Sequence, residues 1–153
     1  MIYFPVAEVL RRRHPESEWF LAFEVPSNSG AFPLRRFDAF AMSSFPSKDF
    51  RRIAYEFKIS RSDWQRELAN PDKRSLAVAI AHQFYIVAPR GIVAVSELPT
   101  ECGLVEIDSL GQHKLAKRAP IRPADTPSLS FIAAFMGALA RRGNFHGYPP
   151  PDW

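Results

Sequence analysis

Alternating apolar and polar residues predict three consecutive strands in the first part of the chain. They cover residues 18–25, 34–43 and 51–60, and all three are rich in aromatic and β-branched side chains. Short segments containing Pro, Gly, Asn and Ser separate them. Because strands joined by short loops usually pair with their neighbours along the chain, this pattern predicts an antiparallel meander.

Apolar residues at helical spacing predict four helices. These cover residues 5–13, 62–70 and 72–82, and a last segment that begins at Ser128 or Ser130 and ends at Arg142. In the second helix, Ser62 and Gln65 have the spacing of a capping box. The apolar face of the last helix is predicted to be core, with a homodimer contact as the second alternative; it carries Leu129, Ile132, Phe135, Met136 and Leu139.

Residues 83–89 form a short aromatic and β-branched run that predicts a buried strand. A strand that follows a helical crossover is expected to lie parallel to an earlier one. Short strands, or a helical turn and a strand, follow over residues 91–110, and residues 111–120 are predicted to form an edge strand. The order of elements predicts a single α/β domain over residues 1–143 with a Pro-rich tail at residues 144–153.

Composition limits the class of protein. Thirteen Phe, three Trp and four Tyr in 153 residues supply enough apolar area for one core. The net charge is +4, and Arg outnumbers Lys by fifteen to five. This bias suits phosphate recognition, although an ordinary soluble domain carries such a charge equally well. The single Cys102 excludes an internal disulfide and a Cys-rich zinc site, which favours a reducing, cytoplasmic location.

Targeting signals and other common sites are not apparent in the sequence. The longest apolar stretch, residues 129–140, is shorter than the roughly 20 residues of a membrane span, and the chain does not begin like a signal peptide. We therefore expect a soluble protein with no membrane partner. The four His lack zinc-ligand spacing, and no P-loop, dinucleotide fingerprint or serine-hydrolase motif occurs.

Three of the charged residues within the predicted strands are candidates for a site. Glu56 and Lys58 share one face of their strand, because side chains alternate, and Asp38 is the lone acid of the preceding strand. In a suitable register, Asp38 and Glu56 lie side by side. Two such carboxylates suit a divalent cation, and Lys58 would then stand beside a metal-bound water or a phosphate. The alternative is a solvent-facing Glu–Lys pair, with Asp38 as an acid near a turn.

The segments FDAFAM and YEFKISRSDW resemble the core of the PD-(D/E)XK nuclease superfamily. The order of segments over about residues 18–118 is similar to that of the MmcB-like DNA-repair branch and related phage and bacterial proteins. The resemblance implies a restriction-endonuclease-like core, with a central mixed sheet in αβββαβ order flanked by helices, and hydrolysis of phosphodiester bonds with Mg²⁺ or Mn²⁺. It places the metal-binding acids at Asp38 and Glu56 and the catalytic lysine at Lys58. Phe37 stands where the superfamily name has Pro.

The resemblance also suggests further site residues. Members often add an acid from the first helix, for which Glu8 is the natural candidate and Glu24 the rival. The residues after Lys58 lie where the third predicted strand ends and the next helix begins. The free backbone N–H groups at a helix N-terminus attract phosphate. Helix capping is the alternative role there. The predicted substrate contacts are Ser60, Arg61, Ser62, Arg36 and Gln83.

The sequence therefore predicts a divalent-metal-dependent nuclease that acts on DNA in repair or processing, with RNA not excluded. The alternative is a nucleic-acid-binding or repair-accessory module that keeps the nuclease fold without cutting. A third hypothesis is an adaptor that binds a protein partner through the tail and the last helix.

Overall fold

Six strands form one mixed sheet, and their order in the sheet follows their order along the chain. The computed structural model describes residues 4–28 and 35–144. The helices are α1 (Phe4–Arg13), α2 (Arg61–Ala69), α3 (Ser75–Ile80) and α4 (Leu129–Asn144). The strands are β1 (Trp19–Pro26), β2 (Arg36–Ser43), β3 (Arg52–Phe57), β4 (Gln83–Pro89), β5 (Cys102–Ile107) and β6 (His113–Lys117).

The pairing of the strands changes direction at β3. Strands β1, β2 and β3 are antiparallel, β3, β4 and β5 are parallel, and β6 returns antiparallel to β5. The predicted meander, the buried strand at residues 83–89 and the mixed α/β class are confirmed. The switch to parallel pairing follows from the crossover formed by α2 and α3, because parallel neighbours need a long connection.

Helices cover both faces of the sheet. On one face, here called the α1 face, α1 packs through Val9 and Leu10 against a core that includes Tyr55 and Tyr85. On the opposite face, here called the α4 face, α2, α3 and α4 bury an apolar cluster around Trp64. Within the described residues, no helix is both long enough and apolar enough to cross a membrane.

The buried face of α4 differs from the predicted one. Leu129 is 85% exposed and Met136 is 62% exposed, so their assignment to the core is wrong. Ile132, Phe135 and Leu139 do contact the core, and the remaining buried positions are Phe131, Ala134 and Ala138. Small Ala residues allow α4 to lie close to the sheet, and the Phe131 and Phe135 rings stack with centroids 6.1 Å apart.

Several element boundaries also differ from the sequence prediction. Strand β3 ends at Phe57, three residues early, and the segment predicted as a helix from residue 72 begins as a 3₁₀ turn, Pro71–Arg74. A further 3₁₀ turn, Val95–Glu97, precedes β5. The predicted Pro-rich tail lies outside the described residues from residue 145 onward.

Candidate active site

Asp38 and Glu56 occupy opposite positions on neighbouring strands. The ladder between β2 and β3 pairs Ala39 with Tyr55 and Phe40 with Ala54. One step further along the same register, Asp38 faces Glu56. Side-chain alternation places both acids on the α4 face, the side of Phe40 and Ala54.

The side chain of Asp38 takes part in the sheet itself. Its Oδ2 accepts a hydrogen bond of 2.6 Å from the backbone N–H of Phe57, a donor that a regular ladder would direct to a carbonyl of β2. The β2–β3 pairing ends at this point. Asp38 is thus fixed by a backbone donor at the place where the two strands stop pairing.

Strand β1 is irregular opposite the same residue. Its register with β2 pairs Phe23 with Ala39 and Val25 with Phe37, which sets Glu24 opposite Asp38. Glu24 has φ 51°, a left-handed conformation that is unfavourable for a residue with a side chain, by about 1–2 kcal/mol. The normal alternation of β1 is therefore interrupted beside Asp38.

Lys58 lies directly after β3 and points to the α4 face, as Glu56 does. Its Nζ is 3.5 Å from Oε1 of Glu56 and 2.9 Å from Oε1 of Glu67, and only 3% of its side chain is exposed. Its backbone N–H donates to the carbonyl of Val87, which ties this segment to β4. The ammonium group is therefore buried between two carboxylates from different elements.

Glu67, on α2, is a site residue that the sequence analysis missed. Its side chain is 2% exposed, and its Oε2 is 3.2 Å from Nη1 of Arg74. Arg74 in turn donates from Nε to Glu101 at 2.9 Å. A signal was present in the sequence, because Glu67 stands three residues after Trp64 and thus on the same face of α2.

The electrostatic environment favours protonation of the acids. Burial, together with the negative charge of Asp38, raises the pKa of Glu56 to about 7, although Lys58 acts in the opposite direction. Burial also raises the pKa of Asp38, against the effects of the Phe57 N–H and Lys58. Burial lowers the pKa of Lys58, but the hydrogen bond to Glu67 and the charge of Glu56 outweigh it, so the pKa is raised. Two half-buried acids beside one lysine leave excess negative charge when both ionise.

This environment predicts a pH-dependent stability that Glu56→Gln removes. The folded carboxyl keeps its proton up to about pH 7, whereas the unfolded one loses it near 4.5, so the stabilisation is complete below pH 4.5 and is lost as the pH rises through 7. Without divalent ions, we expect Glu56→Gln to raise the free energy of unfolding at pH 8 by about 2 kcal/mol, with little change at pH 4.5. Urea unfolding at both values measures this difference.

Glu8→Gln is the matched control, because Glu8 is an exposed acid on α1. It should keep the pH dependence of the wild type. Identical pH profiles for the wild type and Glu56→Gln would contradict the assignment of the raised pKa to Glu56.

A cleft of about 290 Å³ opens on the α4 face beside Glu56 and Glu67; Asp38 and Lys58 are not part of its lining. Its charged lining consists of Glu56, Glu67, Arg35, Arg36, Lys73 and Arg74. Arg74 forms an ion pair with Glu67, and the guanidinium of Arg35 donates to the carbonyl of Asp72 at 2.6 Å. Arg36 and Lys73 are both exposed, and Nη1 of Arg36 donates to the carbonyl of Glu24 at 3.4 Å. The cleft therefore combines buried acids with an accessible basic rim.

The predicted contacts at the start of α2 have partners within the protein. Ser60 is the N-cap of α2, with its Oγ accepting from the N–H of Asp63, so the predicted capping box at Ser62 is wrong. The Oγ atoms of Ser60 and Ser62 are 3.1 Å apart. Arg61 forms a two-armed ion pair with Glu97 and lies about half exposed. The role of these residues in substrate binding stays a prediction.

Two predicted site residues lie away from the acids. Gln83 projects to the α1 face at the first residue of β4, where its amide donates to the carbonyl of Ala119 at 3.0 Å. Glu8 lies on α1, which covers the same face, and its partner is Arg12 at 4.0 Å. The structure thus places both side chains on the face of the sheet opposite to Glu56, and their roles in the site stay predictions.

The donor set agrees with a weakly chelated hard cation. Asp38 and Glu56 offer carboxylate oxygens, the ligands that Mg²⁺ and Mn²⁺ prefer. Burial is the main cause of their raised pKa values, and for Glu56 the charge of Asp38 adds to it. Within residues 4–28 and 35–144, no group of three or more His, Cys, Asp or Glu is arranged to hold a metal. Asp38 and Glu56 are thus two carboxylates without a third protein ligand of these types among the described residues.

Comparison with known proteins adds information on the fold. No family model matches the chain, and no curated protein matches it. Among solved structures, the chain is similar to the SPO1766 protein of unknown function from Silicibacter pomeroyi, with 19% identity and a TM-score of 0.62. The match covers 92% of this chain and 88% of that protein. This similarity concerns the fold alone.

Proposed function

We propose that the protein is a metal-dependent nuclease of restriction-endonuclease-like fold that hydrolyses phosphodiester bonds in DNA. The observation that carries the proposal is the placement of Asp38 opposite Glu56, with Lys58 3.5 Å from Glu56. Of these three residues, Glu56 lines the cleft that has a basic rim. The resemblance of the segments around these residues to the PD-(D/E)XK superfamily supports the same reading. A role in DNA repair or processing in the cytoplasm is part of the proposal.

Asp38 and Glu56 are the residues that would hold Mg²⁺ or Mn²⁺. When bound, such an ion supplies an activated water and stabilises charge on the phosphate. The hydrogen bond from Phe57 fixes the Asp38 carboxylate, so one of its oxygens is already oriented by the sheet. Ionisation of Glu56, whose pKa is raised to about 7, makes cation binding tighter as the pH rises through neutrality.

The basic side chains of the site have separate tasks in this proposal. Lys58 places a positive charge beside the acids, where it offsets the charge that develops on the phosphate in the transition state. Arg36 and Lys73 lie on the exposed rim of the cleft and bind the flanking backbone phosphates. The site thus positions the scissile phosphate between fixed charges of both signs.

The proposal predicts that Asp38→Asn abolishes divalent-dependent cleavage and weakens Mn²⁺ binding. Asn removes one anionic ligand, so we expect the Mn²⁺ dissociation constant to rise about tenfold or more and the cleavage rate to fall about 10²-fold or more. Calorimetric titration with Mn²⁺ and cleavage of labelled single-stranded, duplex, flap and junction DNA measure the two effects. Glu8→Gln, on the other face, should behave as the wild type; unchanged Mn²⁺ affinity in Asp38→Asn would exclude Asp38 as a ligand.

The burial of Lys58 favours a second candidate function, a nucleic-acid-binding module that does not cut. Its ammonium already has two carboxylate partners and is 3% exposed, which also suits a purely structural ion pair. This module would bind DNA with a steep salt dependence and leave it intact with every divalent ion tested. Cleavage by the wild type with Mn²⁺ rules this candidate out.

Either function predicts that the double change Arg36→Ala and Lys73→Ala weakens DNA binding. Two phosphate contacts are lost, so we expect the slope of log K against log salt to fall by about 2 and the affinity at low salt to fall about tenfold. Fluorescence anisotropy over a series of salt concentrations measures both. Arg12→Ala removes an exposed cation from α1 and is the matched control. An unchanged salt slope in the double variant would show that Arg36 and Lys73 do not contact the phosphates of the bound DNA.

A further inference from the structure

The carboxylate of Glu67 is held from two sides inside the protein. Its Oε1 is 2.9 Å from Nζ of Lys58, and its Oε2 is 3.2 Å from Nη1 of Arg74. All three side chains are at most 8% exposed. An acid buried to this degree is costly unless both oxygens are satisfied, and here each oxygen has a cationic partner.

We propose that Glu67 is the positioning residue for Lys58, and that Arg74 fixes Glu67 from behind so that the lysine ammonium stays at one place beside Glu56. The catalytic role of Lys58 in this inference rests on the proposed function. The positioning of the Lys58 ammonium by Glu67 does not depend on whether the protein cleaves DNA. Glu67 acts through Lys58 and takes no place in the coordination of an ion.

The two contacts of Lys58 show why a second acid is needed. The distance from Nζ to Glu67 is 2.9 Å, within hydrogen-bonding range, whereas the distance to Glu56 is 3.5 Å, at the limit of that range. Lys58 has a long side chain with four rotatable bonds, which one partner at the limit of contact would not hold. Glu67 therefore defines the position of the ammonium, and Glu56 retains oxygens for another partner.

Helix α2 supplies a rigid base for this arrangement. Its first turn is capped by Ser60, two residues after Lys58, and Trp64 is fully buried one turn before Glu67. The indole N–H of Trp64 donates to Glu97, which anchors the helix against the segment before β5. Glu67 thus projects from a helix whose position is fixed at both its start and its middle.

Glu67→Gln tests the proposal, with Glu101→Gln as the matched control. Glu101 also pairs with Arg74, at 2.9 Å, but does not touch Lys58. The first readout is the ¹⁵Nζ signal of the Lys58 ammonium, which burial and hydrogen bonds protect from exchange with water. We expect Glu67→Gln to accelerate this exchange at least about tenfold and Glu101→Gln to leave it within twofold of the wild type.

The second readout is the kinetics of cleavage. A displaced ammonium lowers kcat about 10- to 100-fold with KM within about twofold, because the substrate still binds to the rim of the cleft.

If Glu67→Gln does not fold, Glu67→Asp serves as a second variant. Asp keeps the negative charge but moves it away from Lys58 by the length of one methylene, so kcat and the exchange of the Lys58 signal should change in the same direction. A protected Lys58 signal and full kcat in a folded Glu67 variant would overturn the proposal. If the wild type does not cleave, the proposed function fails, while the Lys58 signal still decides the positioning role.

Discussion

Lys58→Met should lower the rate of divalent-dependent DNA cleavage by about 10²- to 10³-fold, provided that the protein cuts DNA as proposed. The change removes the cation that offsets charge on the phosphate, and groups in that position typically contribute this factor. Met is unbranched and of similar length, so it fits the buried space of the lysine stem. Glu67 keeps Arg74 but loses the partner of its Oε1, so urea unfolding of the variant must first show that it is folded. Single-turnover cleavage with Mn²⁺ measures the effect.

The control for this prediction is Lys48→Met, which alters an exposed lysine on the turn between β2 and β3. It should cleave at the wild-type rate. In Lys58→Met, we expect Mn²⁺ to bind at least as tightly as before, because a neighbouring positive charge is gone. Full cleavage by Lys58→Met, or a loss of Mn²⁺ binding that explains the loss of cleavage, would show that Lys58 is not the catalytic cation.

Gly103→Ala should destabilise the fold by about 3 kcal/mol, the upper end of the usual cost of adding a methyl group to a packed core. Gly103 pairs with Tyr85 between β5 and β4. A Cβ there would lie 2.5 Å from the backbone N of Ala119 and would also overlap the ring of Tyr85. Tyr85 stacks on Tyr55 with ring centroids 5.7 Å apart, so neither ring moves away independently. Urea unfolding measures the loss.

Gly137→Ala is the matched control, since it adds the same methyl group within α4. The nearest atom to that Cβ, outside its own helix backbone, is Nη1 of Arg141 at 3.4 Å, the end of a flexible side chain. We expect this change to stabilise the protein by about 0.5–1 kcal/mol, the usual difference between Ala and Gly within a helix. A Gly103→Ala variant as stable as Gly137→Ala would contradict the close approach of Tyr85 and Ala119 to β5.

The strands were predictable because their patterns are local. The meander needs only side-chain alternation and short loops, and the strand at residues 83–89 needs only an uninterrupted apolar run. The placement of Asp38 opposite Glu56 also depends on alternation, once neighbouring strands are assumed to pair. The left-handed Glu24 was not predictable, because a residue with a side chain at φ 51° does not follow from its local sequence.

The missed features depend on packing between distant segments. Glu67 belongs to the site because it contacts Lys58, directly after β3. Its position on the Trp64 face of α2 indicates burial, but the sequence of α2 does not indicate which residue it contacts. For α4, large apolar residues indicated one face, whereas close packing on the sheet selected Ala134 and Ala138. Gln83 was expected near the acids because it begins β4, but its side chain points to the opposite face and Glu56 is at the other end of a parallel strand.

The left-handed residue in β1 has a consequence for the behaviour of the protein at high concentration. Strand β1 forms one border of the sheet, and Glu24 breaks the regular row of backbone donors and acceptors that another chain would need for pairing. At the other border, β6 carries exposed His113 and Lys114. Both borders thus have features that oppose edge-to-edge pairing of sheets between two copies of the protein.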